Sequence, residues 1–95
     1  MSYLDSNLDL SMLTGAQVRS ARHAVKWTVQ DLAANSKVSV STIKRIEVAD
    51  GLPSTSVHNL MSIKTALEAA GIEFIGAPED DPGIRIRTQS QPARP

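Results

Sequence analysis

The chain has 95 residues with ten basic and ten acidic side chains, so its formal net charge is zero and a strongly basic or acidic protein is excluded. This length suits one small domain with a modest core and leaves no room for a separate ligand-sensing domain. The sequence has no cysteine for disulfides or thiolate metal sites and no apolar run near the roughly 20 residues that cross a bilayer, so we expect a cytoplasmic protein without membrane contact.

Residues 1–13 are predicted to form an N-terminal extension. Leu4, Leu8 and Met12 lie at helical spacing within it. This spacing leaves open a short extra helix, an arm that contacts a second subunit, or loose chain.

A first helix is predicted to begin at Thr14, because Thr14 and Gln17 have the spacing of a capping box. Arg22 falls on the buried side of this helix. A guanidinium group without a partner is costly in a core, so Arg22 needs an acidic partner. The apolar residues expected on the same side are Val18, Ala21 and Val25.

Residues 28–47 are predicted to form two short amphipathic helices joined by a tight turn at residues 36–38. Thr28, with Asp31, is the expected N-cap of the first helix, and Ser39 is the expected N-cap of the second. Two helices in this order form a helix-turn-helix, which presents its second helix to the major groove of DNA. The positions expected to face the core are Leu32, Ala33, Val38, Ile43 and Ile46, and those expected to face outwards are Ser41, Lys44, Arg45 and Val48.

A fourth helix is predicted after an N-cap at Ser54 or Ser56, ending near Ala70 at Gly71. Its apolar stripe is expected to contain Val57, Leu60, Ile63 and Leu67, with Met61 beside it. Trp27, the only tryptophan of the chain, is expected to pack in the core against the first two helices.

Residues 72–87 are predicted to form a β-hairpin, with strands at 72–75 and 84–87 and an acidic loop between them. Two strands alone are marginally stable, so the hairpin needs a partner surface. We expect it to be a dimer contact; the alternative is a role in the fold alone, with Ile72 and Phe74 sealing the core. Residues 88–95 are expected to be disordered. The residues expected at the dimer contact are Phe74, Ile75, Ile84 and Ile86.

The apolar framework of residues 28–47 resembles that of the Cro/CI-type helix-turn-helix proteins, also called the XRE family or lambda-repressor-like domains. The sequence TGAQVRSARHAVKW resembles the first helix of that family, and EVADG resembles the exit from its recognition helix. The resemblance covers residues 14–71 and implies a mainly α, lambda-repressor-like bundle of four helices, followed here by the β-hairpin. It also implies a bacterial or phage DNA-binding protein.

In proteins of this family, the arginine at the position of Arg22 bonds the glutamate that ends the recognition helix, which is Glu47 here. The resemblance therefore implies a partly buried Arg22–Glu47 ion pair. The alternative is that both residues are solvated surface charges.

The sequence departs from the family pattern at three positions. Lys37 and Lys26 stand where the family commonly has glycine, and Lys37 is expected in a left-handed conformation at a cost of roughly 1 kcal/mol. Both lysines are candidate phosphate contacts. Val29 stands where the family usually has a glutamine that contacts the DNA backbone, and Gln30 comes one residue later.

The predicted function is sequence-specific DNA binding by a homodimer, on an inverted-repeat operator read through the major groove. The distribution of charge favours DNA binding, because residues 15–71 carry seven basic and four acidic side chains. Arg45 is the main candidate for base reading, since arginine bonds a guanine edge with two hydrogen bonds. Ser41 and Val40 are further base-contact candidates, and the candidate phosphate contacts are Lys44, Lys37, Thr28, Gln30 and Lys26.

Two other function classes remain open at this point. An antitoxin-type protein would neutralise a partner protein and regulate its own operon, using the acidic hairpin loop and the N-terminal leucines. A coactivator would bridge other proteins. We expect no enzymatic activity, cofactor or metal, because His23 and His58 lie on different predicted helices without a nucleophile, a phosphate loop or metal-ligand spacing.

Overall fold

The computed structural model describes residues 12–87. Within this range the chain forms four helices followed by a two-stranded antiparallel hairpin, which confirms the predicted mainly α fold class. The expectations for residues 1–11 and 88–95 lie outside the described residues. The elements are α1 (Gly15–Ala24), α2 (Val29–Ser36), α3 (Val40–Val48), α4 (Val57–Ala69), β1 (Ile72–Ala77) and β2 (Asp80–Ile86).

Each helix begins at a hydroxyl side chain that accepts a hydrogen bond from the backbone N–H three residues later. These bonds satisfy one of the N–H groups that a helix leaves without an internal partner at its start. α4 is capped by Ser56 rather than Ser54. It ends at Ala69 with Ala70 as its C-cap, and Gly71 follows with a φ of 107°, which suits glycine. The four N-cap residues are Thr14, Thr28, Ser39 and Ser56.

The core receives buried side chains from all four helices and from β1. Leu13 belongs to this core, so its predicted place in the N-terminal extension is wrong. Leu13 and Val18 occupy the two positions of a hydrophobic staple around the Thr14 cap. The largest fully buried side chains are Leu32, Ile43, Ile46, Ile63, Leu67, Ile72 and Val18.

The prediction that Val57 belongs to the buried stripe of α4 is wrong, because 49% of its surface is exposed. Val57 is the first residue of α4, and helical side chains tilt towards the N-terminus of their helix. Its side chain therefore extends past the helix end. Trp27 packs against the core as expected and is partly buried.

The hairpin is longer than predicted. The expected loop at 76–83 is wrong, since β1 continues to Ala77, β2 begins at Asp80 and only Pro78 and Glu79 form the turn. The register shifts between Ile75 and Ala77, and Gly76 has a φ of 80° there. This β-bulge lets the ladder continue through a segment that lacks strand-like alternation.

One side chain of α1 connects the hairpin to the helices. Gln17 Nε2 donates to the carbonyl oxygens of Ile75, at 3.2 Å, and Gly83, at 2.9 Å, one on each strand. Its Oε1 accepts from the Thr14 N–H, so the same residue completes the capping box of α1. Phe74 and Ile84, which are paired across the strands, pack against the core. The hairpin is thus held by both a polar and an apolar contact.

Candidate nucleic-acid interface

Helices α2 and α3, with the turn between them, form the predicted helix-turn-helix. The chain leaves α2 through Lys37, which has a φ of 67° and a ψ of 24°, so the predicted left-handed conformation is present. Lys37 donates its N–H to the Ala33 carbonyl, and the Ser36 hydroxyl accepts from the Val38 N–H at 3.2 Å. Val38 then enters the core, and Ser39 begins α3.

α3 has one buried side and one exposed side. Ile43 and Ile46 have no exposed surface. The base-contact candidates Arg45 and Ser41 are exposed, as is Lys44, while Val40 is half-buried. The outer side of α3 therefore presents polar and basic groups on a helix whose other side is fixed in the core.

Basic side chains within residues 12–87 divide into two groups. Arg19, Arg22, Lys64 and Arg85 each form an ion pair with an acidic side chain. The others form no ion pair or side-chain hydrogen bond inside this range, so their charges are available to an outside partner. They are Lys26, Lys37, Lys44, Arg45 and Arg87.

Most of these unpaired charges lie between residues 26 and 45, on the helix-turn-helix and the segment that leads into it. Lys26 has a φ of 60°, so both lysines at the family's glycine positions adopt a left-handed conformation. Val29 packs against the core, whereas Gln30 is exposed. At the start of α2, the exposed side-chain amide of Gln30 is therefore the group that is accessible to DNA.

Thr28 has a structural task at the same helix start. Its hydroxyl accepts from the Asp31 N–H at 3.0 Å, and the Asp31 carboxylate accepts from the Thr28 N–H at 2.9 Å. A phosphate contact by the Thr28 side chain would have to share the hydroxyl group with this capping box.

Arg22 and Glu47 form an ion pair between α1 and α3. Arg22 Nε lies 2.8 Å from Glu47 Oε2, and Nη2 lies 2.9 Å from Oε1, so the guanidinium and carboxylate meet through two parallel hydrogen bonds. Only 11% and 9% of the two side chains are exposed, which excludes the alternative of solvated surface charges. Hydrogen bonding to Glu47 raises the pKa of Arg22, and burial opposes this effect.

Arg22 also stabilises the segment that leads into α2, because Nη1 donates to the Trp27 carbonyl at 2.9 Å. One buried guanidinium therefore connects α1, the entry to α2 and the end of α3. A partly buried group bonded to all three segments helps to fix their relative orientation.

Two further residues of α1 contact the end of α3, and neither is among the residues predicted for the site from the sequence. Arg19 Nη1 donates to the Glu47 carbonyl, and Nη2 lies 3.3 Å from Asp50 Oδ1. Gly15 lies so close to α3 that an added Cβ would stand 1.8 Å from the Ala49 carbonyl oxygen. The only hint in the sequence is that Arg19 precedes Arg22 by three residues and so shares its side of α1.

The residues predicted for the dimer contact have different environments. Phe74 and Ile84 are partly buried against the core, and Ile86 is 60% exposed at the end of β2. Ile75 is half-buried. Phe74 and Ile84 thus contribute to the fold of a single chain, and a dimer contact through the hairpin stays a prediction.

The remaining surface of residues 12–87 has a shallow groove but no cluster of metal ligands. No three histidine, aspartate or glutamate side chains within residues 12–87 are grouped as metal ligands. The groove lies between α2 and α4 and is lined mostly by small and polar side chains, together with His58 and the apolar Met61. None of the helices in this range is long and apolar enough to span a bilayer.

Comparison with known proteins gives no support for a family. The chain matches no protein-family model, and no curated protein matches it. The resemblance to Cro/CI-type proteins therefore rests on the residues of the helix-turn-helix and on the Arg22–Glu47 pair.

Proposed function

We propose that this protein is a sequence-specific DNA-binding regulator of transcription, similar to the Cro/CI-type helix-turn-helix proteins. The observation that carries the proposal is the outer side of α3, where Ser41, Lys44 and Arg45 are exposed and the two cations have no partner within residues 12–87. A helix whose inner side packs in the core and whose outer side carries cations without partners suits insertion into a major groove.

The proposed contacts follow from the chemistry of each side chain. Arg45 reads a guanine through its O6 and N7 atoms, while Ser41 and Val40 contact neighbouring bases. Lys44, Lys37 and Lys26 neutralise phosphates, together with Gln30 and the N–H groups after Thr28. Since the net charge of the chain is zero, these local charges must supply the attraction to DNA.

Two subunits would place their recognition helices in successive major grooves, about 34 Å apart on one face of DNA. In this arrangement the hairpin joins the subunits through Ile86 and the outward edges of the strands. An inverted-repeat operator mirrors the two-fold symmetry of such a dimer.

The test is selection of bound fragments from a randomised DNA pool at about 0.15 M salt, an ionic strength at which non-specific binding is weak. We expect an enriched inverted repeat with half-sites about 10–11 base pairs apart. A single enriched half-site would contradict the dimer, and no enrichment would contradict sequence-specific binding.

A second candidate function, an antitoxin-type protein that neutralises a basic partner protein and regulates its own operon, is favoured by one observation. Glu79 in the hairpin turn and Asp80 and Asp81 at the start of β2 are exposed and form no ion pair within residues 12–87. Co-purification of a basic protein that is lost when these three residues are neutralised would support this candidate. Unchanged co-purification would contradict the use of the turn.

A further inference from the structure

Arg19 and Arg22 lie one helical turn apart on α1 and hold the same residue of α3. Arg22 binds the carboxylate of Glu47, and Arg19 donates to the backbone carbonyl of Glu47. This carbonyl belongs to the last turn of α3, where backbone oxygens lack a partner inside the helix. Arg19 is therefore a cap for the C-terminus of the predicted recognition helix.

Arg19 makes a second contact at the same place, with the exposed side chain of Asp50. Its second nitrogen, Nη2, lies 3.3 Å from the carboxylate of Asp50, just beyond the end of α3, so the planar guanidinium spans two acceptors. Gly15 donates its N–H to the Gly51 carbonyl at 2.9 Å, and this contact holds the start of α1 against the same segment. The last turn of α3 and its exit are thus attached to α1 at several points.

Arg45 lies two residues before Glu47, so the turn that Arg19 caps is the turn that carries the proposed base reader. We propose that Arg19 is a positioning residue for DNA recognition, which sets the orientation of Arg45 towards the bases without contacting DNA. This inference rests on the proposed function. Two-point hydrogen bonding to a base edge needs the reading side chain held within about 0.5 Å, and a loose helix end would not meet that requirement.

The experiment compares wild type with Arg19→Gln, which removes the charge and the paired donors, and Arg19→Lys, which keeps the charge but not the planar fork. Arg87→Gln is the matched control. Arg87 is an exposed arginine that directly follows β2 and forms no ion pair within residues 12–87. Dissociation constants are measured for the selected operator and for a random duplex, over a range of salt concentrations and well below the unfolding temperature of every variant.

We expect Arg19→Gln to weaken operator binding by about tenfold, within the range for a lost base contact. Random-duplex binding should fall no more than in Arg87→Gln, and Arg19→Lys should restore part of the operator affinity. The slope of log K against log salt should match that of the control, because a positioning residue releases no counterions of its own.

An equal loss on operator and random DNA, with a smaller salt slope, would make Arg19 a phosphate contact and overturn the inference. An unchanged ratio of operator to random affinity would also overturn it. If the wild type itself selects no operator, both the proposed function and this inference are contradicted. That result is distinguished from the two above because it is seen with the wild type, before any variant is measured.

Discussion

The backbone of Lys37 has a left-handed conformation, which residues with a Cβ rarely adopt. Its φ of 67° and ψ of 24° let the chain turn from α2 towards α3 within three residues. Residues with a Cβ pay roughly 1–2 kcal/mol in this region, and glycine does not. The Lys37 side chain is exposed at this turn, where it is a proposed phosphate contact.

Lys37→Gly should therefore raise the free energy of unfolding by about 0.5–1 kcal/mol, since relief of the strain outweighs the entropy that glycine adds to the unfolded chain. Urea denaturation of the wild type, Lys37→Gly and Lys37→Ala measures the effect. Lys37→Ala keeps the strain and removes the same charge, so it should not be stabilised. Equal stability of the glycine and alanine variants would show that the turn stores no strain.

Removal of Arg22 should be far more damaging than removal of a surface arginine. Arg22→Ala leaves the Glu47 carboxylate buried without its partner, which costs about 3 kcal/mol. The control is Arg85→Ala, which breaks the exposed pair with Glu73 and should cost at most about 1 kcal/mol. Thermal unfolding of both variants distinguishes them, and similar shifts in Tm would mean that the buried pair adds no stability.

At the scale of elements, the position of α3 depends on how closely α1 approaches it. Gly15 makes that approach possible, because an added Cβ would stand 1.8 Å from the Ala49 oxygen and 2.2 Å from the Ile46 oxygen. Both neighbours are backbone atoms at the end of α3, which cannot move aside without shifting the helix.

Gly15→Ala should therefore destabilise the fold by about 3 kcal/mol or shift the end of α3. Gly51→Ala is a matched control nearby, since nothing lies within 4 Å of the position its Cβ would take. Chemical denaturation measures the difference between the two variants. A cost for Gly15→Ala no greater than that for Gly51→Ala would contradict the close packing of α1 on α3.

The hairpin depends on α1 in a different way, through the two hydrogen bonds that Gln17 donates to its strands. Gln17→Glu keeps the capping box but places a carboxylate against two carbonyl oxygens, so we expect a loss of about 2 kcal/mol. In Gln17→Glu, the rate of amide hydrogen exchange should rise more in the hairpin than in α4, relative to the wild type. Gln30→Glu, an exposed change at the start of α2, is the control and should leave the exchange unaltered.

The sequence predicts some of these elements better than others, for physical reasons. The N-caps at Thr14, Thr28 and Ser39 could be predicted because capping is local, depending on residues three positions apart. Extension of the hairpin through Gly76 could not, because a bulge interrupts the alternation that marks a strand. The exposure of Val57 followed from its place at the very start of α4, and helix boundaries are the least certain part of a sequence pattern.

In the candidate site, too, some features could be predicted from the sequence and others could not. The exposure of Arg45 and Lys44 follows from the periodicity of α3, since the buried Ile43 and Ile46 fix which side faces outwards. The role of Arg19 has no such signature. Its partner is a backbone carbonyl 28 residues away, and contacts with carbonyl groups leave no pattern in the side chains.

For the whole molecule, the decisive property is where charge remains unpaired rather than how much charge there is. The chain is neutral, yet four of its cations between residues 26 and 45 have no partner within residues 12–87. The acidic groups that balance them include the exposed Glu79 in the hairpin turn and Asp80 and Asp81 at the start of β2. A neutral chain with this distribution should bind random DNA weakly and depend on base contacts for tight binding.

The most direct test of this account is the affinity of Arg45→Ala for the selected operator and for a random duplex at about 0.15 M salt, with Arg87→Ala as the control. We predict that Arg45→Ala weakens operator binding by about tenfold or more and relaxes the preference at one base pair in each half-site. Binding to the random duplex should fall only slightly, and the control should keep the operator preference. If Arg45→Ala retains the affinity and base preference of the wild type, α3 does not read DNA through Arg45 and the central claim is contradicted.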